Sequence, residues 1–156
     1  MAAQSFDAVV IGAGVNGAAT AYQLVRKGMH DVLVIDKGAL AGGTTGASSA
    51  VVRQHYGHEV TARMAKDSLT FFQNFEALTG GNADFKTCGV VVVGSEEKLA
   101  TTREVVAMQQ RVGINTQMVD RDTILELEPD MYMEDIAGGA WEPDAGYAVR
   151  SAPPPA

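Results

Sequence analysis

The chain has 156 residues, 46% of them hydrophobic, and a formal net charge of −7 at pH 7, which fits one globular domain. The acidic balance argues against nucleic acid as a partner, and the single cysteine, Cys88, excludes an internal disulfide or a site built on several cysteines. No signal peptide or membrane-spanning stretch is recognisable, so we expect a cytoplasmic protein with no membrane partner. The three histidines have no recognisable ligand partners, so no metal site is expected.

A strand–helix–strand pattern occupies residues 8–36. Two short apolar runs, typical of buried parallel strands, flank a small-residue helical pattern. The predicted elements are a strand at Ala8–Gly12, a helix at Val15–Lys27 and a strand at Val32–Ile35. The second strand stops at Asp36, where a carboxylate can accept hydrogen bonds from a ribose diol. This βαβ unit predicts an α/β fold of Rossmann-like type.

The turn after the first strand has the spacing G-x-G-x-x-G. Gly12 permits the tight turn, Gly14 lets the backbone approach a pyrophosphate, and Gly17 lets the helix pack closely on the strand. The start of the helix, at Val15 and Asn16, offers free N–H groups and a partial positive charge to phosphates. The spacing in this strand–turn–helix context therefore predicts a dinucleotide site.

Residues 38–50 form a second stretch of small residues. Composition alone favours a flexible connection. Its position after the second strand, however, places it at the carboxyl ends of the strands, where open α/β sheets bind ligands. We therefore expect its backbone amides and hydroxyls to contact the ligand. The hydroxyls belong to Thr44, Thr45, Ser48 and Ser49.

Periodicity and turn signals define the later elements. In chain order they are a helix over 59–78, a buried strand over 88–94, a helix from Ser95 to Val112, a strand over 116–119, a helix over 123–128 and a strand over 136–141 broken by Gly138-Gly139. Asp120 or Asp122 is the cap of the fifth of these. The apolar stripe of the first, Val60, Met64, Leu69, Phe72, Phe75 and Leu78, predicts core packing. Cys88 is expected to be an inert, buried residue.

Six segments together carry a family resemblance: residues 9–17, 34–38, 42–50, 51–57, 126–129 and 138–147. In these the sequence resembles the FAD-dependent amine oxidoreductases of the D-amino-acid oxidase superfamily, of the sarcosine oxidase, dimethylglycine dehydrogenase and glycine oxidase type. The likeness covers nearly all of residues 6–148, and residues 42–57 are its most specific part.

The resemblance implies an incomplete fold with two portions. Residues 1–80 would be the Rossmann-like FAD-binding portion, and residues 81–150 a partial substrate domain of mixed α+β structure. Only one βαβ unit has the required form, and a doubly wound fold needs further strands. Residues 151–156 carry three prolines and no periodicity, which predicts a disordered tail.

The resemblance also implies a cofactor, a substrate class and site residues. FAD would be bound by Gly12, Gly14, Val15, Asn16, Gly17, Asp36, Lys37, Gly43, Thr44, Thr45, Ser48, Ser49 and Ala50. Arg53 would bind the carboxylate of an amino acid or N-methyl amino acid whose C–N bond is oxidised. The catalytic residues are unknown and no general base is identified, while His55 and Tyr56 are expected to have structural roles.

Two departures from the family pattern bear on the flavin. Ala50 stands where monomeric sarcosine oxidases have a second arginine, and residues 42–50 contain no histidine to attach flavin covalently. We therefore expect non-covalent FAD. Two alternatives stay open: a truncated, non-catalytic fragment that needs a complementary subunit or a second copy and binds at most the ADP part of FAD, and an NAD-binding domain, which would leave residues 42–57 unexplained.

Overall fold

The computed structural model describes residues 5–148, so the predicted tail at 151–156 lies outside the described part. Contacts divide the chain into two compact units, one ending at Ser49 and one beginning at Ala50. Residues 50–80, assigned from sequence to the FAD-binding portion, thus make their contacts within the second unit. The functional division near residue 80 stays a prediction.

The first unit is the predicted βαβ motif. It contains β1 (Ala8–Ile11), α1 (Val15–Arg26) and β2 (Val32–Ile35), and the two strands pair in parallel. A Cβ at Gly17 would lie 1.8 Å from the carbonyl oxygen of Gly12. Only glycine fits there, so the close helix–strand packing predicted for this position is confirmed.

The β1–β2 sheet has one face that its own unit leaves open. Val10 faces α1, since its Cγ1 lies 3.5 Å from the Cβ position of Gly17. Side chains alternate along a strand, so Val9 and Ile11 point to the other face, where they are 52% and 84% exposed. Parallel sheets are normally covered on both faces, and no described residue before Ala50 is fully buried.

The second unit holds the remaining elements. In chain order they are β3 (Val51–Val52), α2 (Glu59–Gln73), α3 (Phe75–Thr79), β4 (Phe85–Thr87), β5 (Val90–Gly94), α4 (Leu99–Arg111), β6 (Gln117–Val119), α5 (Arg121–Leu127), β7 (Gly138–Glu142) and β8 (Gly146–Ala148). They include two antiparallel three-stranded sheets, in the orders β3-β8-β4 and β5-β7-β6. The mixed α/β class is as predicted.

Two hydrophobic clusters form the core of the second unit. One joins α2 to the end of α4 through Ala62, Val112 and Ile114. The other packs Val119, Ile124 and Met133 with partly buried neighbours that include Trp141. Within residues 5–148, no helix is long and apolar enough to cross a membrane, and no group of three or more acidic, histidine or cysteine side chains is arranged to hold a metal ion. The cytoplasmic location stays a prediction.

The predicted helix over 59–78 is interrupted at Asn74. This residue has φ −111° and ψ 18°, and its side-chain amide donates to the carbonyl of Thr70 at 2.8 Å. The core stripe was wrong at Val60, Met64 and Leu78, which are exposed. Phe72, in contrast, packs against the ring of Phe85 in β4, with the two ring centres 6.0 Å apart.

Three predictions change in this unit, and the open choice between two helix caps is resolved. Cys88 is exposed in the loop between β4 and β5 rather than buried in a strand. Gly139 lies inside β7 instead of breaking it. Its close contact with the paired strand requires glycine, since a Cβ there would lie 2.5 Å from the carbonyl oxygen of Val92. The Ser95 side chain makes no capping bond, and the residue precedes a single 3-10 turn, Glu96–Lys98. Asp120, not Asp122, caps α5 by accepting the Thr123 amide.

Candidate functional site

The glycine turn leaves the start of α1 open to an anion. Gly12 adopts φ +108°, a conformation that favours glycine. Its N–H donates to the carbonyl of Ile35 at the end of β2, at 2.7 Å. Gly14 is the N-cap and supplies no side-chain cap, and the first turn contains no acidic residue. The helix N-terminus therefore keeps its attraction for negative charge.

Asp36 lies at this turn, as its position after β2 predicts. Its Oδ2 accepts the N–H of Ala13 at 2.7 Å and its Oδ1 the N–H of Gly38 at 2.9 Å. The bond from Ala13 has the larger effect, and together the two bonds lower the pKa of Asp36 below its ordinary value. An ionised carboxylate has about four acceptor positions, so both oxygens can still accept ribose hydroxyls.

The loop after β2 contacts the same turn. The amide of Ala41 donates to the Ala13 carbonyl at 3.0 Å, and the Thr45 hydroxyl accepts the Val15 N–H at 3.0 Å. A Cβ at Gly14 would lie 2.9 Å from Thr45 Oγ1. Residues 38–50 are therefore held against the glycine turn by hydrogen bonds and are not a flexible connection. Thr45 lies at the N-terminus of α1.

The other cofactor candidates occupy varied positions. Exposed residues are Asn16, Lys37, Gly43, Thr44, Ser48 and Ser49. The Ser48 amide donates to the Thr45 carbonyl at 3.3 Å. Ala50 has φ +57°, and its carbonyl accepts the Ala148 amide at 3.0 Å. Their contacts with a cofactor stay predictions.

These residues fit the ADP half of a dinucleotide. The open helix end suits a pyrophosphate and the Asp36 carboxylate suits a ribose diol. Cβ atoms built on Gly12 and Gly43 would have no neighbour within 4 Å, so the backbone there has room for a ligand. The geometry of the first unit is thus the one that the fingerprint predicts.

Arg53 lies in the second unit, just after β3. It is exposed, it donates through Nη1 to the carbonyl of His55, and its guanidinium carbon is 5.1 Å from the centre of the Tyr56 ring. A guanidinium stays charged in proteins and binds carboxylates through two parallel bonds. The position is therefore suited to an acidic ligand.

A buried polar cluster next to Arg53 was missed by sequence reasoning. Gln54, Gln109 and Glu142 are buried, and His55 is half-buried beside them. The signal for one of them was present: Gln109 occupies a buried position on α4 in the helical series that includes Val106 and Val112. A polar residue in such a series indicates a specific buried contact.

Burial shifts the pKa values of the two ionisable members. Burial raises the pKa of Glu142 above its ordinary value. The hydrogen bond from the Gln54 amide and the positive charge of Arg53 oppose this rise, because both stabilise the ionised carboxylate. Burial and the Arg53 charge lower the pKa of His55, while Gln109 acts in the opposite direction. The imidazole is therefore neutral near pH 7, and its 3.9 Å approach to Glu142 is not an ion pair.

A parallel βαβ unit with an open helix end and a carboxylate after the second strand defines a dinucleotide-binding protein. The family described as FAD dependent oxidoreductase (DAO) matches residues 7–152. The chain belongs to this family, which confirms the resemblance read from the sequence. FAD, not NAD, is therefore the cofactor.

Curated relatives match the chain over most of its length. It is 29% identical over 143 residues to 4-methylaminobutanoate oxidase (formaldehyde-forming) of Paenarthrobacter nicotinovorans, covering 89% of this chain and 17% of the relative. It is 26% identical over 154 residues to sarcosine oxidase subunit beta of Arthrobacter sp, covering 93% of this chain and 38% of the relative.

A solved structure gives the same picture. L-proline dehydrogenase from P. horikoshii superposes with a TM-score of 0.84 at 25% sequence identity, over 93% of this chain and 38% of that one. The chain thus spans well under half the length of these proteins. It carries part of the family fold, as the single βαβ unit predicts.

Proposed function

We propose that this chain forms part of an FAD-dependent oxidoreductase that oxidises the C–N bond of an amino acid or N-methyl amino acid of sarcosine or glycine type. The observation that carries the proposal is the convergence of Asp36 and the open end of α1 on one glycine turn. The relatives' names supply the substrate class: 4-methylaminobutanoate, sarcosine and proline each combine a secondary amine with a carboxylate.

The first unit would hold the ADP half of non-covalent FAD. Backbone amides from Gly14 to Gly17 would bind the pyrophosphate and Asp36 the ribose, with Lys37 beside it. The loop from Gly43 to Ala50 would line the ribityl and isoalloxazine side. The Thr45 hydroxyl, already bonded to the Val15 amide, would turn its own proton toward a phosphate oxygen, because a hydroxyl both accepts and donates.

Arg53 would hold the substrate carboxylate and so orient the carbon next to the amine nitrogen. The exposed guanidinium and its single described hydrogen bond, to the His55 carbonyl, leave donors for a bidentate carboxylate pair. When bound, FAD supplies the two-electron acceptor for hydride transfer. The imine product would then be hydrolysed by water. We assign no general base.

A second candidate is a non-catalytic portion that needs a complementary subunit or a second copy of itself. The open apolar face of the β1–β2 sheet, with Ile11 84% exposed, favours it. So does the likeness to a protein named as a subunit, sarcosine oxidase subunit beta. Such a chain would bind at most the ADP part of FAD and turn over no amine by itself.

Ligand titrations of the purified chain separate these candidates. We expect FAD and ADP to bind and compete, whereas FMN, which lacks the ADP half, binds neither tightly nor competitively. Asp36→Asn removes the charge that would face the ribose, so affinity for ADP should fall about tenfold, the loss expected for hydrogen bonds to a charged group. Asp67→Asn, an exposed position on α2, is the matched control.

Turnover then decides between enzyme and partial protein. Amine-dependent flavin reduction by the chain with sarcosine supports an enzyme. ADP binding without reduction supports the second candidate. A chain that binds neither ADP nor FAD would contradict both.

A further inference from the structure

The buried cluster behind Arg53 is built from three elements of the second unit. Gln109 on α4 and Glu142 on β7 are fully buried, and Gln54, in the segment after β3, is 3% exposed. Burying a polar or charged side chain is costly unless it is hydrogen-bonded. The contacts that these side chains make are therefore informative about why they are there.

Both buried side chains bond to the main chain of residues 53–56. Glu142 Oε2 accepts the N–H of Gln54 at 2.8 Å. Gln109 Nε2 donates to the carbonyl of Gln54 at 3.0 Å and to that of Tyr56 at 3.4 Å. A strand and a helix, distant in sequence, thus fix three backbone groups of one short segment.

The same segment fixes the direction of the Arg53 side chain. Its guanidinium donates to the His55 carbonyl and lies over the Tyr56 ring, so both of its contacts are within residues 53–56. A change in the backbone of this segment would move the partners that orient the guanidinium. The buried bonds and the exposed cation are therefore mechanically connected.

We propose that Glu142 and Gln109 are positioning residues, which hold the Arg53–Tyr56 segment in the one conformation that aims the Arg53 guanidinium at a carboxylate. The inference rests on the proposed function, because it takes Arg53 as the carboxylate-binding residue. Misplacing a substrate-positioning group by about 1 Å can lower the reaction rate about a hundredfold. The backbone bonds of the two buried side chains protect against such a displacement.

Matched variants of the full chain test this. Gln109→Leu removes the amide that bonds to Gln54 and Tyr56. Gln110→Leu is its control, since Gln110 is the next residue of α4 and bonds instead to the Thr116 carbonyl at 2.8 Å. Glu142→Leu removes the acceptor for the Gln54 amide, whereas Glu142→Gln keeps one and should rescue. Gln109→Asn and Glu142→Asp are milder replacements if the leucine variants do not fold.

The readout is binding of sarcosine, followed by NMR at the Arg53 Nε–H, with sarcosinamide as the probe that lacks a carboxylate. We expect Gln109→Leu and Glu142→Leu to weaken sarcosine binding about tenfold or more, the loss expected when hydrogen bonds to a charged group are not made. Gln110→Leu and Glu142→Gln should stay close to wild type, and sarcosinamide should bind equally weakly to all.

Arg53→Gln separates the two proposals. If it leaves sarcosine affinity unchanged, the proposed role of Arg53 fails. Positioning is then judged by a second measurement, faster hydrogen exchange of the Gln54 amide and greater mobility of Arg53 Nε in Gln109→Leu than in Gln110→Leu. If Arg53→Gln weakens binding but the Gln109 and Glu142 variants do not, or if Gln110→Leu is as harmful as Gln109→Leu, the positioning role is overturned.

Discussion

The Asp36 carboxylate accepts the amide of Ala13 at 2.7 Å, which joins the end of β2 to the turn that follows β1. The bond places a full negative charge beside the open N-terminus of α1. Because Ala13 lies between the two glycines of the turn, the carboxylate also fixes the backbone that approaches the pyrophosphate. One side chain thus connects the ribose and phosphate parts of the proposed cofactor site.

This bond predicts an acid-sensitive first unit. The folded-state pKa of Asp36 lies below its ordinary value of 3.8, so the stability that it contributes is present above about pH 4 and is lost as pH falls through the folded pKa. Urea unfolding followed by NMR signals of residues 8–35 should show this loss in wild type and a flatter pH profile in Asp36→Asn. The profile of Asp67→Asn should match wild type. Equal profiles for wild type and Asp36→Asn would contradict the argument.

The Thr45 hydroxyl supplies the side-chain bond to the first turn of α1. Thr45→Val keeps the shape of the side chain but removes the acceptor of the Val15 amide. We expect a loss of about 0.5–2 kcal/mol, the range for deletion of a helix cap, and faster hydrogen exchange at Val15. Thr44→Val is the control, since Thr44 is exposed. Equal exchange at Val15 in both variants would show that Thr45 does not support this turn.

The βαβ unit was predictable from sequence because its determinants are local. The glycine spacing, the small-residue helix and the acid after β2 all lie within residues 8–36, and each has one structural meaning in that order. Gly17 is the sharpest case, since the need for glycine follows from helix–strand contact inside the motif. The structure agrees with these boundaries to within a residue.

The second unit was less predictable because its determinants are distant. The two-residue strand β3 exists only because it pairs with β8, almost at the other end of the described chain. Gly139 reads as a breaker until the carbonyl of Val92 is seen beside it. Likewise Glu142 is an ordinary acid in sequence, and its contact with Gln54 spans 88 positions. Such contacts join residues that are far apart in sequence, so a local pattern does not specify which partner a residue meets.

Gly89 has φ +76°, and its Cβ position would lie 1.7 Å from the Trp141 ring. Gly80 has nearly the same φ, +73°, but no atom within 4 Å of its Cβ position. Gly80→Ala should therefore cost only the conformational strain, about 1 kcal/mol. Gly89→Ala should cost about 1–3 kcal/mol more, as for overpacking.

Trp141, the only tryptophan of the chain, reports the difference between these variants. Its emission should shift to longer wavelength in Gly89→Ala, because the displaced ring becomes more exposed, and stay unchanged in Gly80→Ala. Equal stability of the two variants with unchanged emission would show that the loop between β4 and β5 moves away without cost.

Glu142 and His55 make opposite contributions to the pH dependence of the second unit. Burial raises the pKa of Glu142 above its ordinary value of 4.5, so its contribution to stability is full below about pH 4.5 and is lost as pH rises through the folded pKa. The pKa of His55 is lowered from 6.5, so its contribution is present above about pH 6.5 and is lost as pH falls through the folded pKa. Wild type combines both trends.

The Glu142→Gln variant separates the contribution of Glu142 from that of His55. The variant keeps an acceptor for the Gln54 amide but cannot ionise, so its free energy of unfolding relative to wild type should increase as pH rises above about 4.5 and level off above the folded pKa of Glu142. Unfolding is followed by Trp141 fluorescence at a series of pH values, with Glu128→Gln, an exposed acid, as the control. A difference that is independent of pH would mean that Glu142 is solvated in solution, and one that decreases with pH would mean that its ionised form is the stabilised one.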